Sequence, residues 1–463
     1  MNQPLPVSRE GAPAYTPGYT LLDMLRAPRG ELFVALAFSG GGKRSAAFAY
    51  GALLALRSMQ VIDNGRPKPL LDEVDYIAAV SGGSFPAVHY GLYREESFRT
   101  FEAAFLKRDV NRFVYQIYLL PWNWEWLVNP LFGTNDAMAL VYDRLMFNGA
   151  TYADLQRRGL PMISVDATDL AGGVVFPFNQ TSFDRLCSDL SSFPVSRAVA
   201  ASAAFPILFT PITLVSYRSD CVGHPPPGPL ATRASDTSGS ALSRTAMMAR
   251  NEQRQMDPAQ TQFLHLMDGG IADNLALRSL SNDLMLLDES SELLQRLAPK
   301  TRRVIVINVD GQAAQDPTLG QRRVVSGLRQ IISAVSGSQI NAYSFETLLF
   351  ADQQIAQLTQ TIRRIRCAQG KIIDGHNCDD VQGALIPITL ADVPDEPLRR
   401  RLQAIPTSLT IPDADVDALV AEGQRLVQTN ATLLGLLADF RPRSMAACRT
   451  SQAPYRPGLR PAC

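Results

Sequence analysis

The sequence predicts an α/β fold: a mostly parallel sheet with helices on both faces, followed by a helical C-terminal extension. Three features carry that reading. From Glu31 to about Asp310, short apolar runs alternate with helical stretches. The runs are continuously apolar, as strands buried on both faces are, rather than alternating like a half-exposed antiparallel strand. Two of them end in glycine-rich turns that open directly onto a helical stretch, as in the βα units of a parallel sheet.

Residues 1–30 read as an N-terminal extension, because Met1 to Thr20 is polar and proline-rich and has no signal-peptide core. The α/β domain is placed at 31–315. Its first strand is Phe33-Val34-Ala35-Leu36-Ala37-Phe38, followed by the loop Ser39-Gly40-Gly41-Gly42-Lys43-Arg44-Ser45 and a helix through Ala46 to Leu54. Val74 to Val80 is the second strand and ends at Ser81-Gly82-Gly83-Ser84. Residues 113–132 hold all three tryptophans, and two readings stand for them: an interfacial or substrate-facing surface, and a packed helical flap. Pro161 to Asp166, Phe263 to Met267 and Arg303 to Val309 supply further strands. Residues 218–260, with Pro225-Pro226-Pro227-Gly228-Pro229 and a Ser/Thr/Ala/Arg-rich tract, are expected to form a long flexible insertion. Residues 316–463 read as a mainly helical extension packed on the sheet, since Val324, Val325, Leu328, Ile331, Ile332 and Val335 keep helical spacing and Ala414 to Leu437 looks amphipathic.

Composition removes some function classes. Lys plus Arg and Asp plus Glu number 44 each in 463 residues, so no nucleic-acid partner is expected. No apolar run reaches about 18 residues, so no transmembrane helix is expected either. None of the six cysteines forms a C-x-x-C pair, and neither a metal nor a cofactor is expected.

The chemistry gathers at three turns. Ala79-Val80-Ser81-Gly82-Gly83 places a serine between small residues, after a strand and before a helix, which is the context of a nucleophile elbow. Ala79 stands at the first glycine of the usual G-x-S-x-G. The amides of Gly40, Gly41 and Gly42, at the end of a separate strand, suit an oxyanion hole, in which one donor contributes roughly 3–4 kcal/mol. For a base, His89, His224, His265 and His376 all lack a convincing context; His265, inside a strand, reads as a core residue. Asp268-Gly269-Gly270 follows the 263–267 strand instead, where sheet enzymes carry reactive groups. A nucleotide- or phosphate-binding loop is the rival reading, but Ala37 and Arg44 break the P-loop pattern and Ser45 breaks the dinucleotide one. A non-catalytic protein that kept the fold is the other, and the presence of both Ser81 and Asp268 argues against it.

A GGG-x-R loop, a serine turn and a D-G-G turn, in that order over about residues 30 to 310, resemble the patatin-like phospholipase family. The resemblance implies a carboxylic ester hydrolase with Ser81 as nucleophile, Asp268 as base and no histidine. It implies a lipid or ester substrate, met at a membrane surface. The family's loop is usually D-G-G-G-x-R-G; here Ser39 replaces the Asp, as in the mammalian cytosolic phospholipase A branch, and Ser45 replaces the last Gly. Arg44 is assigned to substrate binding, with two roles open: holding a lipid phosphate or positioning the loop.

The cysteines bear on compartment. Cys187 with Cys221, Cys367 with Cys378 and Cys448 with Cys463 are neighbouring couples, most of them in polar, turn-rich surroundings unlike those of core thiols. Disulfides would place the protein in a periplasm or outside the cell, with a signal segment absent from this chain. Six reduced thiols in the cytosol is the alternative.

Overall fold

Leu32–Phe38 forms the first strand, β1, and every residue in it is buried. The computed structural model describes residues 1–6, 18–25, 30–63, 65–120, 132–206, 208–221, 243–313, 321, 323 and 328–441. After β1 come α1 (Gly42–Ser58), β2 (Val74–Val80), α2 (Ser84–Tyr93), β3 (Met162–Asp169), β4 (Val174–Pro177), α3 (Val195–Ser202) and β5 (Ile212–Val215). Then follow α4 (Arg244–Met256), β6 (Phe263–Met267), β7 (Arg303–Asp310), α5 (Leu328–Gln369), β8 (Gln382–Thr389) and α6 (Asp413–Thr429).

The eight strands make one sheet in the order β8-β7-β1-β2-β3-β6-β5, with β4 paired to β3. From β8 to β3 all neighbours are parallel. The central strands β2 and β3 are buried along their whole length, which explains their unbroken apolar runs.

The strand at 263–267 forms where expected but runs antiparallel to β3 and β5. Its direction matters for the site. Val80, the last residue of β2, pairs with Asp166, and β3 continues beyond it to Asp169. The β6 strand comes back along that overhang, with Met267 opposite Thr168, so Asp268 arrives level with the end of β2.

The C-terminal region is mainly helical, as expected, and also supplies a strand to the sheet. Residues 382–389 form β8, which pairs in parallel with β7 along its full length and makes the edge of the sheet. The boundary at 315 therefore cuts through one sheet. Helix α6 also packs on α1 at reciprocal glycines: a Cβ on Gly51 would sit on the Val420 carbonyl oxygen, and one on Gly423 on the Phe48 carbonyl oxygen. Close backbone approach of this kind needs the missing side chain.

One further expectation changes, and one segment is described only in part. The 218–260 insertion carries a well-formed helix, α4, capped by Ser243, whose side chain accepts the Ala246 N–H; residues 222–242 lie outside the described residues. In the 113–132 segment, Asn111–Leu119 is helical, whereas residues 121–131, with the tryptophans, lie outside the described residues. At the N-terminus Gln3–Pro4 pairs with Ser188–Asp189, so the first residues are fastened to the domain.

Cys187 and Cys221, and Cys367 and Cys378, are paired at disulfide distance, with Cα–Cα separations of 6.3 and 4.9 Å. Cys448 and Cys463 lie outside the described residues. Cys187 and Cys221 share a small apolar cluster with Leu5 and Tyr217, so this link holds the N-terminal strand as well as its own loop. Cys187→Ser is expected to cost about 2–5 kcal/mol, read as a lowered melting temperature. Mass mapping of non-reduced peptides should recover both pairs. Free thiols at these positions in protein from its native compartment would refute them.

Candidate active site

Ser81 sits at the turn between β2 and α2, in a single 3-10 turn over Ser81–Gly83. Its φ is +49°, a left-handed conformation that costs a non-glycine residue on the order of 1–3 kcal/mol and persists only where the surroundings enforce it. Ser202 accepts the Ser81 N–H at 2.8 Å, and the Ser81 carbonyl accepts the Ser84 hydroxyl at 2.6 Å. Gly82 is pressed against the glycine loop so closely that a Cβ would lie on the Gly42 carbonyl oxygen. Gly82→Ala is accordingly expected to cost about 1–3 kcal/mol and most of the activity, measured by thermal melting and turnover per folded molecule. Wild-type values for both would show that the two turns do not pack in this way.

The hydroxyl of Ser81 donates to Asp268 Oδ2 at 2.9 Å. Both residues are 7% exposed. Asp268 Oδ1 accepts the Gly270 N–H at 2.8 Å, and the Asp268 carbonyl accepts the Thr168 hydroxyl at 2.8 Å. Its N–H donates to the Ala204 carbonyl at 3.2 Å. Burial raises the Asp268 carboxyl to about 6, against the opposing pull of the Gly270 N–H and the Ser81 hydroxyl. A carboxylate with that value is a better proton acceptor at neutral pH than an ordinary one and is still ionised there.

The glycine loop is less uniform than its sequence. Gly40 is corrected as an oxyanion donor, because its N–H is already taken by the Asn274 carbonyl at 2.9 Å. The N–H groups of Gly41 and Gly42 have no acceptor among the described residues. Gly41 and Gly42 have φ of 139° and 62°, which a side chain would resist. Arg44 is buried and committed to the chain's own carbonyls: Nε donates to Gly311 at 2.6 Å and Nη1 to Ile405. Of its two open roles, this placement is that of a loop-positioning residue, and it corrects the substrate-binding assignment. Ser39 accepts the Gly311 N–H at 2.9 Å, and the Lys43 N–H donates to the Ser408 carbonyl at 2.8 Å. The loop is thus braced by the end of β7 and by residues 405–408 of the C-terminal extension. The Lys43 ammonium turns away to the Arg108 carbonyl at 2.6 Å, over the Phe105 ring, and burial lowers it to about 8.

No histidine among the described residues bonds to Ser81 or Asp268. His265 is exposed rather than in the core, and its Nδ1 pairs with the Thr213 hydroxyl at 3.0 Å. His89 is buried against Ser97, its ring lowered to about 4 by that burial. His376 lies by Arg302 and Glu31, while His224 is outside the described residues. The described residues hold no group of three or more His, Cys, Asp or Glu side chains placed to bind a metal ion, and no helix long and apolar enough to cross a membrane.

A mostly parallel sheet with a glycine loop after one strand and a serine turn after its neighbour defines an α/β protein whose candidate site lies at the carboxyl edge of the parallel strands. Residues 36–281 match the family model described as patatin-like phospholipase, and the chain belongs to that family. No curated protein matches the chain. Among solved structures it is similar to human GIVD cytosolic phospholipase A2, at 13% identity and a TM-score of 0.43, over 90% of this chain and 64% of that one. It is also similar to the same human enzyme in complex with methyl gamma-linolenyl fluorophosphonate and terbium chloride, at 14% identity and a TM-score of 0.37, over 88% and 59% of the two chains. The chain thus spans less than two thirds of the length of these structures.

Proposed function

We propose that this protein is a serine-dependent lipid acyl hydrolase of the phospholipase A or lysophospholipase type, with Ser81 as nucleophile and Asp268 as its base. The observation that carries the proposal is the 2.9 Å hydrogen bond from Ser81 Oγ to Asp268 Oδ2 at a strained turn packed on the glycine loop.

In this scheme the ester carbonyl carbon lies over Ser81 Oγ, with its oxygen toward the amides of Gly41 and Gly42. Oγ attacks while Asp268 takes the hydroxyl proton. The tetrahedral oxyanion collapses, the alcohol leaves with that proton, and the acyl group remains on Oγ as an ester. Water then attacks the acyl-enzyme, passing its proton through Asp268 back to Ser81 as the fatty acid leaves. The steps require no metal or cofactor. An apolar acyl chain fits the residue next to the dyad: Ile271, whose N–H donates to the Asp268 carbonyl, is an exposed large apolar side chain. Such a side chain suits a substrate met at a lipid surface. The two disulfides support an oxidising compartment, periplasmic or extracellular.

The test is fatty-acid release from phosphatidylcholine, lysophosphatidylcholine, triacylglycerol and a short-chain ester between pH 4.5 and 9. The base must be unprotonated, and burial raises it to about 6, so kcat should climb as pH rises through about 6 and level off above it. No release from any ester, or a rate that falls as pH rises through that window, would sink the reading.

A further inference from the structure

We propose that Ser202 is a positioning residue for the nucleophile, its buried hydroxyl holding the Ser81 backbone in the conformation that brings Oγ to Asp268. This rests on the reading of Ser81 as the nucleophile. Ser202 is the last residue of α3 and is fully buried. Its hydroxyl accepts the Ser81 N–H at 2.8 Å and donates to the Asp166 carbonyl at 2.6 Å. A hydroxyl has one proton to give and two lone pairs, so Ser202 serves both neighbours at once and ties the serine turn to β3.

The same strand holds the other partner. Thr168, two residues beyond Asp166, donates to the Asp268 carbonyl at 2.8 Å and accepts the Ala272 N–H at 3.1 Å. Ser81 and Asp268, 187 positions apart in sequence, are thereby hung from neighbouring points on one buried strand. Those two attachments help to set the separation of Oγ and Oδ2, beside the bonds of Asp268 to the Ala204 carbonyl and the Gly270 N–H. On the Ser81 side the tie to this strand is the Ser202 hydroxyl, which holds the amide of a residue at φ +49°, a conformation that serine leaves readily when released, while Ser84 bonds only its carbonyl. The Ser81 amide, occupied in this way, is also unavailable to a substrate oxyanion, which leaves that task to the glycine loop.

A hydroxyl with only a folding role would affect how much enzyme is folded, not the turnover of each folded site. The experiment therefore measures kcat and KM for Ser202→Ala and Ser202→Cys, with active sites counted by a fluorophosphonate probe. Ser202→Ala should lower kcat per labelled site about 10- to 100-fold with KM changed less than twofold, and should slow labelling similarly. Ser202→Cys, which keeps the size and a weaker acceptor, should fall between Ser202→Ala and wild type. It carries the test by itself should Ser202→Ala not fold. Wild-type kcat per site in either folded variant would overturn the proposal, as would a loss of activity matched by the loss of labelled sites. A wild-type protein that neither labels nor hydrolyses esters would instead refute the assignment of Ser81.

Discussion

Ser81→Ala is expected to abolish ester hydrolysis, with a loss of about 10⁴-fold or more in kcat and no labelling by a fluorophosphonate. Removing a nucleophile leaves only what substrate binding and the oxyanion donors provide, and nucleophile deletions in serine hydrolases reach about 10⁶-fold. Alanine meets the same left-handed backbone that serine occupies, and the Ser81 N–H, Ser81 carbonyl, Gly82 and Gly83 contacts do not involve the hydroxyl. The variant should therefore fold and melt close to wild type, separating lost chemistry from lost structure. A second serine motif, Ser333-Ala334-Val335-Ser336-Gly337-Ser338, echoes the sequence around Ser81. It lies inside α5, where the backbone continues as helix and no strand-to-helix turn exists to present a nucleophile. Labelling that survives Ser81→Ala, at Ser336 or elsewhere, would show that the nucleophile has been misassigned.

What the sequence made legible was local. The β2 strand and its turn could be read because an apolar run, a serine and two glycines are consecutive, and the backbone at Gly82 and Gly83 leaves no room for a side chain. The directions of the strands were harder to read. The run Phe263 to Met267 reads as a buried strand either way round, and only its pairing with β3 and β5 sets it antiparallel. That pairing also exposes Phe263 and His265 on one face while Leu264 and Leu266 are buried, which is why His265 was misread as a core residue. The β8 strand was missed because an edge strand needs little apolar surface and tolerates Gly383 and Pro387, residues that read as loop. Within the site, the serine and aspartate could be named, but their supports could not. Nothing local in the sequence connects Gly40 with the Asn274 carbonyl, Arg44 with Ile405 or Ser81 with Ser202, because each pair is brought together only by the completed fold.

Asp268→Asn is the variant in which catalysis and stability should move in opposite directions. The amide keeps an oxygen for the Gly270 N–H, but its nitrogen presents protons to Ser81 Oγ where Oδ2 now accepts one. With no group able to take the serine proton, kcat should fall by about 10³- to 10⁴-fold. The effect on stability follows from the raised carboxyl. Its ordinary value is 3.8 and burial moves it to about 6, so between those values the folded protein binds more protons than the unfolded chain. Stability from this group is therefore greatest below about pH 4, falls as pH rises through that window, and carries its full penalty above about 6. The difference corresponds to roughly 3 kcal/mol at most. A neutral asparagine carries no such penalty, so the variant should melt above wild type at pH 8, with the gap narrowing as pH falls toward 4. His265→Ala provides the contrast: the ring is exposed and bonded to Thr213 rather than to either dyad residue, so folded protein should retain its turnover. If His265→Ala were as inactive as Asp268→Asn, or if folded Asp268→Asn kept more than a tenth of wild-type kcat, Asp268 would not be the base.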